Sequence, residues 1–197
     1  MPPNPVTKRP ILIVDDEPEM LHSLKNLLRH DYQVFTATSG AEGLRILETE
    51  VIHLVMTDQR MPEMTGVEML KKVKNEHPAA IRLIFTGYAE VKAVIAAINQ
   101  GNVFRFLSKP WEPEELMAVL RAAGAHHDHI VERHTLMIEM ARYEAECDQF
   151  CDDMLAGKFG ALSKEGADKT TQILGKSREF LSRLQKLLNA ATAKPMP

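Results

Sequence analysis

Five short apolar runs alternate with stretches of helical spacing through the first 110 residues, and this alternation restricts the fold more than any other feature of the chain. The runs at 11–14, 34–37, 52–57, 81–86 and 103–107 read as strands. Between them apolar residues recur at steps of three and four: Leu21, Leu24, Leu28; then Leu44 and Leu47; then Val67, Leu70, Val73; then Val91, Val94, Ile98. Pro18 marks a first helical turn, and Ser39 is a candidate N-cap. Strict strand–helix alternation implies an α/β fold with a parallel sheet covered on both faces.

In such sheets ligands collect beyond the carboxyl ends of the strands, where the strand order reverses. The residues expected at those ends carry chemistry. Asp15 and Asp16 follow the first run, Asp58 ends the third, Thr86 ends the fourth and Lys109 follows the fifth. Three carboxylates at one edge repel one another unless a cation joins them, and hard oxygen donors favour Mg²⁺. A carboxylate beside such an ion can act as a nucleophile toward phosphorus. Phosphoryl transfer needs mainly positioning and charge neutralisation, roles that suit the Lys109 ammonium and the Thr86 hydroxyl. Asp58 would be delivered by its strand, and Met61, Pro62 and Gly66 would turn the chain away to leave it open.

The stretches "ILIVDDEPEM", "VMTDQRMPEMTG", "IFTGYAE" and "FRFLSKPWEPEEL" carry these residues in one order, with 28 residues from Asp58 to Thr86 and 51 to Lys109. Residues 10–123 thereby resemble the receiver domain of bacterial two-component response regulators. The resemblance implies a flavodoxin-like, doubly wound, five-stranded parallel sheet. It further implies that Asp58 accepts a phosphoryl group from a sensor histidine kinase. Asp15, Asp16, Asp58 and the backbone carbonyl of Arg60 would bind Mg²⁺, and Phe106 would be a switch aromatic coupled to Thr86. It implies a cis peptide at Lys109-Pro110 and positions at Arg60 and Tyr88 that tune dephosphorylation. On this reading the domain catalyses only its own phosphorylation and dephosphorylation.

After residue 123 the helical pattern continues, interrupted only by Gly124. Leu116, Leu120, Ala123, His127, Ile130, His134 and Met137 alternate steps of four and three, as in a coiled-coil seam. A second set, Leu136, Met140, Tyr143, Cys147, Phe150 and Met154, repeats those steps out of phase with the first. Gly157 and Gly160 predict a turn, and a second amphipathic helix follows over about 167–190. The expected organisation is a disordered arm over 1–9, a receiver over 10–123, a long helix over 124–156 and a C-terminal helix over 161–191 that folds back or pairs in a homodimer. The extension would then dock a second copy or a downstream protein.

Other functions fit less well. With 45% hydrophobic and 26% charged residues and no apolar run of membrane-spanning length, the chain reads as cytoplasmic. Residues 112–148 hold nine acidic and three basic side chains, a balance that repels nucleic acid. Nothing after residue 123 has a helix-turn-helix or P-loop pattern. His126, His127, His129 and His134 crowd the long helix without the further ligands of a metal site. His134 as a phosphoacceptor in a phosphotransfer or catalytic bundle is the alternative reading of the tail, and the chain as part of a larger regulator is another. Cys147 and Cys151 suit small hydrophobes in a reducing compartment better than a disulfide.

Overall fold

The computed structural model describes residues 8–87, 103–156 and 164–192, which form two compact units, Met1–Asp128 and His129–Pro197. The first contains strands β1 (Arg9–Val14), β2 (Tyr32–Ala37), β3 (Leu54–Asp58), β4 (Ile81–Thr86) and β5 (Arg105–Ser108). Helices α1 (Pro18–Leu28), α2 (Gly40–Thr49) and α3 (Gly66–Glu76) connect the first four strands. Helix α4 (Pro113–Leu155) follows β5 and passes from the first unit into the second, which also holds α5 (Lys164–Thr192). The expected helix over Val91–Ile98, Tyr88, and the turn at Gly157 and Gly160 lie outside the described residues.

All pairings are parallel, in the order β2-β1-β3-β4-β5. The alternating pattern makes this order intelligible. Ile11–Val14 and all of β3 are buried, so these central strands carry apolar residues on both faces and need helices above and below. Leu12, Val14, Val55, Leu70, Val73 and Ile84 share one core cluster. Burying each such side chain contributes roughly 1.5–3 kcal/mol. Because β1 is flanked by β2 on one side and β3 on the other, the strand order reverses there, and a crevice opens at the carboxyl ends of β1 and β3.

Local signals set the helix starts. Ser39 caps α2 by accepting a hydrogen bond from the Glu42 backbone N–H at 3.2 Å. Thr65 starts α3 with a reciprocal capping box: its hydroxyl accepts from the Glu68 N–H, and the Glu68 carboxylate accepts from the Thr65 N–H. Glu17 caps α1 without a side-chain bond, so neither Asp15 nor Asp16 serves as the cap of that helix.

Three boundaries differ from expectation. β1 starts at Arg9, inside the stretch expected to be an arm, because Arg9 is held by the parallel pairing with Tyr32 and by an ion pair to Asp128. Gly124 does not interrupt α4, and the first compact unit reaches Asp128. Leu116, Leu120, Ala123 and His127 are buried in that unit, whereas His134 and Met137 of the same expected seam are exposed. The stripe therefore serves the receiver core in its first half.

In the second unit, Glu139 pairs with Arg183, Tyr143 with Ser177 and Glu146 with Lys176. Partner numbers fall as α4 rises, so α4 and α5 run antiparallel. Tyr143, Cys147 and Phe150 are half-buried, and Val131, Met137 and Ile138 are exposed.

Candidate functional site

The topology brings Asp15, Asp58, Thr86 and Lys109 to one edge of the sheet. Asp15 directly follows β1 and is fully buried; its backbone N–H donates to the Ala37 carbonyl, and its Oδ1 accepts from the Glu17 N–H at 2.8 Å. Asp58 ends β3, with Oδ2 accepting from the Arg60 N–H at 2.5 Å. Lys109 follows β5, and its ammonium lies 2.6 Å from Asp58 Oδ1 and 3.3 Å from Asp15 Oδ2. Its backbone N–H donates to the Thr86 carbonyl at 2.8 Å, which registers β5 against β4 at the site. The Lys109-Pro110 peptide is cis, as expected. Thr86 is buried, with its hydroxyl donating to the Gly87 carbonyl at 3.2 Å. Asp16 is exposed, and Phe106 is half-buried against the core.

The electrostatics follow from burial and neighbours. Burial raises the Asp15 carboxyl above its ordinary value; the Glu17 N–H and Lys109 pull the other way without cancelling it. Burial depresses Lys109, but its hydrogen bond and attraction to Asp58, with a further contribution from Asp15, leave it raised. The cation thus lies between two carboxylates, one of which, Asp15, is held where burial disfavours charge.

Several supporting residues other than Gly66 carry no signal in the sequence pattern. Phe85 presents its ring to the Lys109 ammonium at 4.7 Å and meets Trp111 edge-on at 5.4 Å, so Lys109 is steered over an aromatic face. Gln59 accepts from the Gly66 and Val67 N–H groups through its carbonyl and side-chain oxygens, closing the loop after Asp58. Gly66 is required by close approach: a Cβ there would collide with the Asp58 carbonyl oxygen. Glu63 takes a left-handed φ of 64° in the same loop. A residue's pairing partner across the sheet, or the approach of two backbones, is not encoded in spacing.

The donor chemistry suits a hard cation. Asp15 and Asp58 already place carboxylate oxygens around one cationic nitrogen, and every candidate donor is oxygen. Among the described residues no set of three His, Cys, Asp or Glu side chains is arranged to hold a metal. Mg²⁺ does not require one, because it commonly uses one or two carboxylates and keeps water in its remaining positions. Also among the described residues, no helix is long and apolar enough to cross a membrane.

Fold and site together define a doubly wound α/β domain with an acidic crevice closed by a lysine. The chain belongs to the response regulator receiver domain family, whose model matches residues 11–121. It is 35% identical over 113 residues to the hydrogenase transcriptional regulatory protein HoxA of Bradyrhizobium diazoefficiens, a match covering 57% of this chain and 23% of HoxA. The chain thus spans about a quarter of that relative's length. The crystal structure of a response regulator receiver domain protein from Clostridium thermocellum superposes with a TM-score of 0.56 at 34% identity, covering 58% of this chain and 93% of the other. A structure described as adenylate cyclase from Rhodopirellula baltica gives a TM-score of 0.64 at 34% identity, covering 66% of this chain and 97% of that one. The first unit is therefore a signalling domain of the response-regulator type.

Proposed function

We propose that this chain is a cytoplasmic response regulator that accepts a phosphoryl group on Asp58 from the phosphohistidine of a sensor histidine kinase. The observation that carries the reading is the Lys109 ammonium held between Asp58 and Asp15 at the strand ends. An Asp58 carboxylate oxygen forms the new bond to phosphorus as the phosphorus–nitrogen bond breaks, and the imidazole departs with the electron pair. Lys109 neutralises the incoming phosphoryl oxygens, and the Thr86 hydroxyl turns from the Gly87 carbonyl toward one of them. The half-buried Phe106 follows Thr86, altering the surface of β4 and β5. Mg²⁺ would be held by Asp15, Asp16, Asp58 and the Arg60 carbonyl, where it supplies charge neutralisation during transfer. Water attack on the aspartyl phosphate ends the signal, with Arg60 and Tyr88 setting its rate, so the domain acts catalytically only on itself.

Incubation with phosphoramidate and Mg²⁺ should add one phosphoryl group, read by intact mass, and Asp58→Asn should abolish it. Retention of the full increment on Asp58→Asn would sink the assignment.

The extension is read as a dimerisation and partner-docking module for a second copy and a downstream protein. Support comes from α4, which uses Tyr143 toward α5 and exposes Ile138 about 140° further round the helix at ~100° per residue. Val131, one heptad before Ile138, lies on the same exposed stripe. The test is molar mass by light scattering with and without beryllofluoride. A dimer dissociated by Ile138→Glu is the expected result, and a monomer at all concentrations in both states would refute it.

A further inference from the structure

At the amino edge of the sheet, opposite Asp58, a second polar cluster fastens α4. Arg9, the first residue of β1, makes a bidentate pair with Asp128, Nη1 to Oδ1 at 3.0 Å and Nη2 to Oδ2 at 2.8 Å. The guanidinium reaches Asp128 by crossing α4 at Gly124, where a Cβ would stand 3.0 Å from Arg9 Nε and 3.2 Å from Cζ. The same Nη1 lies 3.4 Å from His127 Nδ1. The His127 ring stacks on that of His53, with centroids 4.1 Å apart and planes 18° apart. His53 is anchored through its backbone, which donates to the Pro10 carbonyl and accepts from the Ile81 N–H. Its Nδ1 is buried with no hydrogen-bond partner among the described residues.

This arrangement requires neutral imidazoles. His127 Nδ1 accepts a guanidinium N–H only with its lone pair free, and a proton there would face Arg9 Nη1 at 3.4 Å as well as Asp128 Oδ1 at 3.6 Å. A proton on His53 Nδ1 would bury an N–H with no acceptor. Either event also sets a cation against the neighbouring ring at stacking distance. The nearest anion, Asp128, is already committed to Arg9. Lys8 lines the same hollow, and Arg9 acts together with Arg121 and Asp31 on Tyr32 at the start of β2. On the β5 side Phe104 stacks on His126, with ring centroids 4.8 Å apart.

We propose that the His53–His127 stack, strapped by Arg9 to Asp128, is an acid-release latch that seats residues 120–128 of α4 on the sheet and opens when either ring is protonated. Asp128 is the last residue of the first compact unit, so the latch lies where the receiver hands its final helix to the extension. The latch shares no residue with the Asp58 crevice. Burial depresses both imidazoles; at His53 the neighbouring His127 and Arg9 add to it, and at His127 the Asp128 hydrogen bond only partly opposes it. A histidine depressed in the fold gives stability that is full above its unfolded value of about 6.5 and is lost as pH falls through that value toward the folded one.

Amide hydrogen exchange of residues 120–128 in the full chain, from pH 7.5 to 5, tests this. Intrinsic exchange is corrected at each pH. Below the unfolded histidine value, protection should fall by up to about tenfold per pH unit for each proton taken up. His53→Phe and His127→Phe retain a flat ring and remove one proton site each, so each should flatten the fall. Asp128→Asn, which takes away Arg9's anion and the carboxylate beside His127, should lower protection across the whole range while the fall still begins at the unfolded histidine value. Should the variants not fold, ring carbon shifts of the wild-type histidines decide. His53 and His127 titrating below the ordinary histidine value of about 6.5 support the latch, and titration at that value with unchanged protection overturns it. Wild-type and His53→Phe/His127→Phe profiles that coincide would overturn it equally.

Discussion

Replacing Lys109 by methionine tests the site without requiring a phosphodonor. At an effective dielectric constant of about 20, its contacts to Asp58 and Asp15 correspond to roughly 6 and 5 kcal/mol of attraction before desolvation. Most of that offsets the cost of taking three charges out of water. Breaking one partner of a buried pair nevertheless costs about 3–5 kcal/mol, because the remaining charge is stranded. Lys109 keeps 24% of its side-chain exposure, so water partly relieves the loss and ~3 kcal/mol is the expected figure. For a unit of this size that lowers the melting midpoint by about 10 °C in metal-free buffer. Trp111, the single tryptophan, packs on Phe85 beside Lys109 and reports the transition by fluorescence. Adding Asp15→Asn to Lys109→Met should recover part of the loss, since one of the two facing carboxylates is then gone. A metal-free midpoint within about 2 °C of wild type would refute the reasoning.

Asp15→Asn alone should raise the metal-free stability at pH 7, because burial disfavours the ionised carboxylate. The gain should shrink as pH falls through the raised carboxyl value and vanish near about pH 3.9, where the unfolded group is also protonated; urea titrations from pH 7 to 4 measure it. Gly66→Ala should destabilise by about 1–3 kcal/mol and slow labelling by phosphoramidate, because its Cβ displaces the Asp58 carbonyl. Ser39→Ala should cost about 1 kcal/mol in the same titration, because the Glu42 N–H loses its cap. Leu83→Ala, fully buried in β4, should cost about 2–5 kcal/mol.

Much of the first unit was legible because its signals are local. The strand run at 81–86 matches β4 as observed, and the others differ at their ends, where pairing rather than hydrophobicity sets the limit. Asp15, Asp58, Thr86 and Lys109 were legible because strand ends in an alternating fold converge on one edge. Phe85, Trp111 and Gln59 were not, since their roles depend on which side chains meet across β3, β4 and the loop after β5. The stripe from Leu116 to Met137 was misleading for a related reason: period alone cannot distinguish burial in the unit's own core from burial against a partner helix.

The sequence by itself determined the alternation, the class of sheet and the residue types at its carboxyl edge, because periodicity and turn chemistry act over a few neighbouring residues. Tertiary structure alone decided that Lys109 bridges Asp58 and Asp15, that Gly124 makes way for Arg9, and that His53 and His127 stack. Each of those joins residues between 51 and 115 positions apart in the chain, where distance is set by the packing of whole elements rather than by local preference.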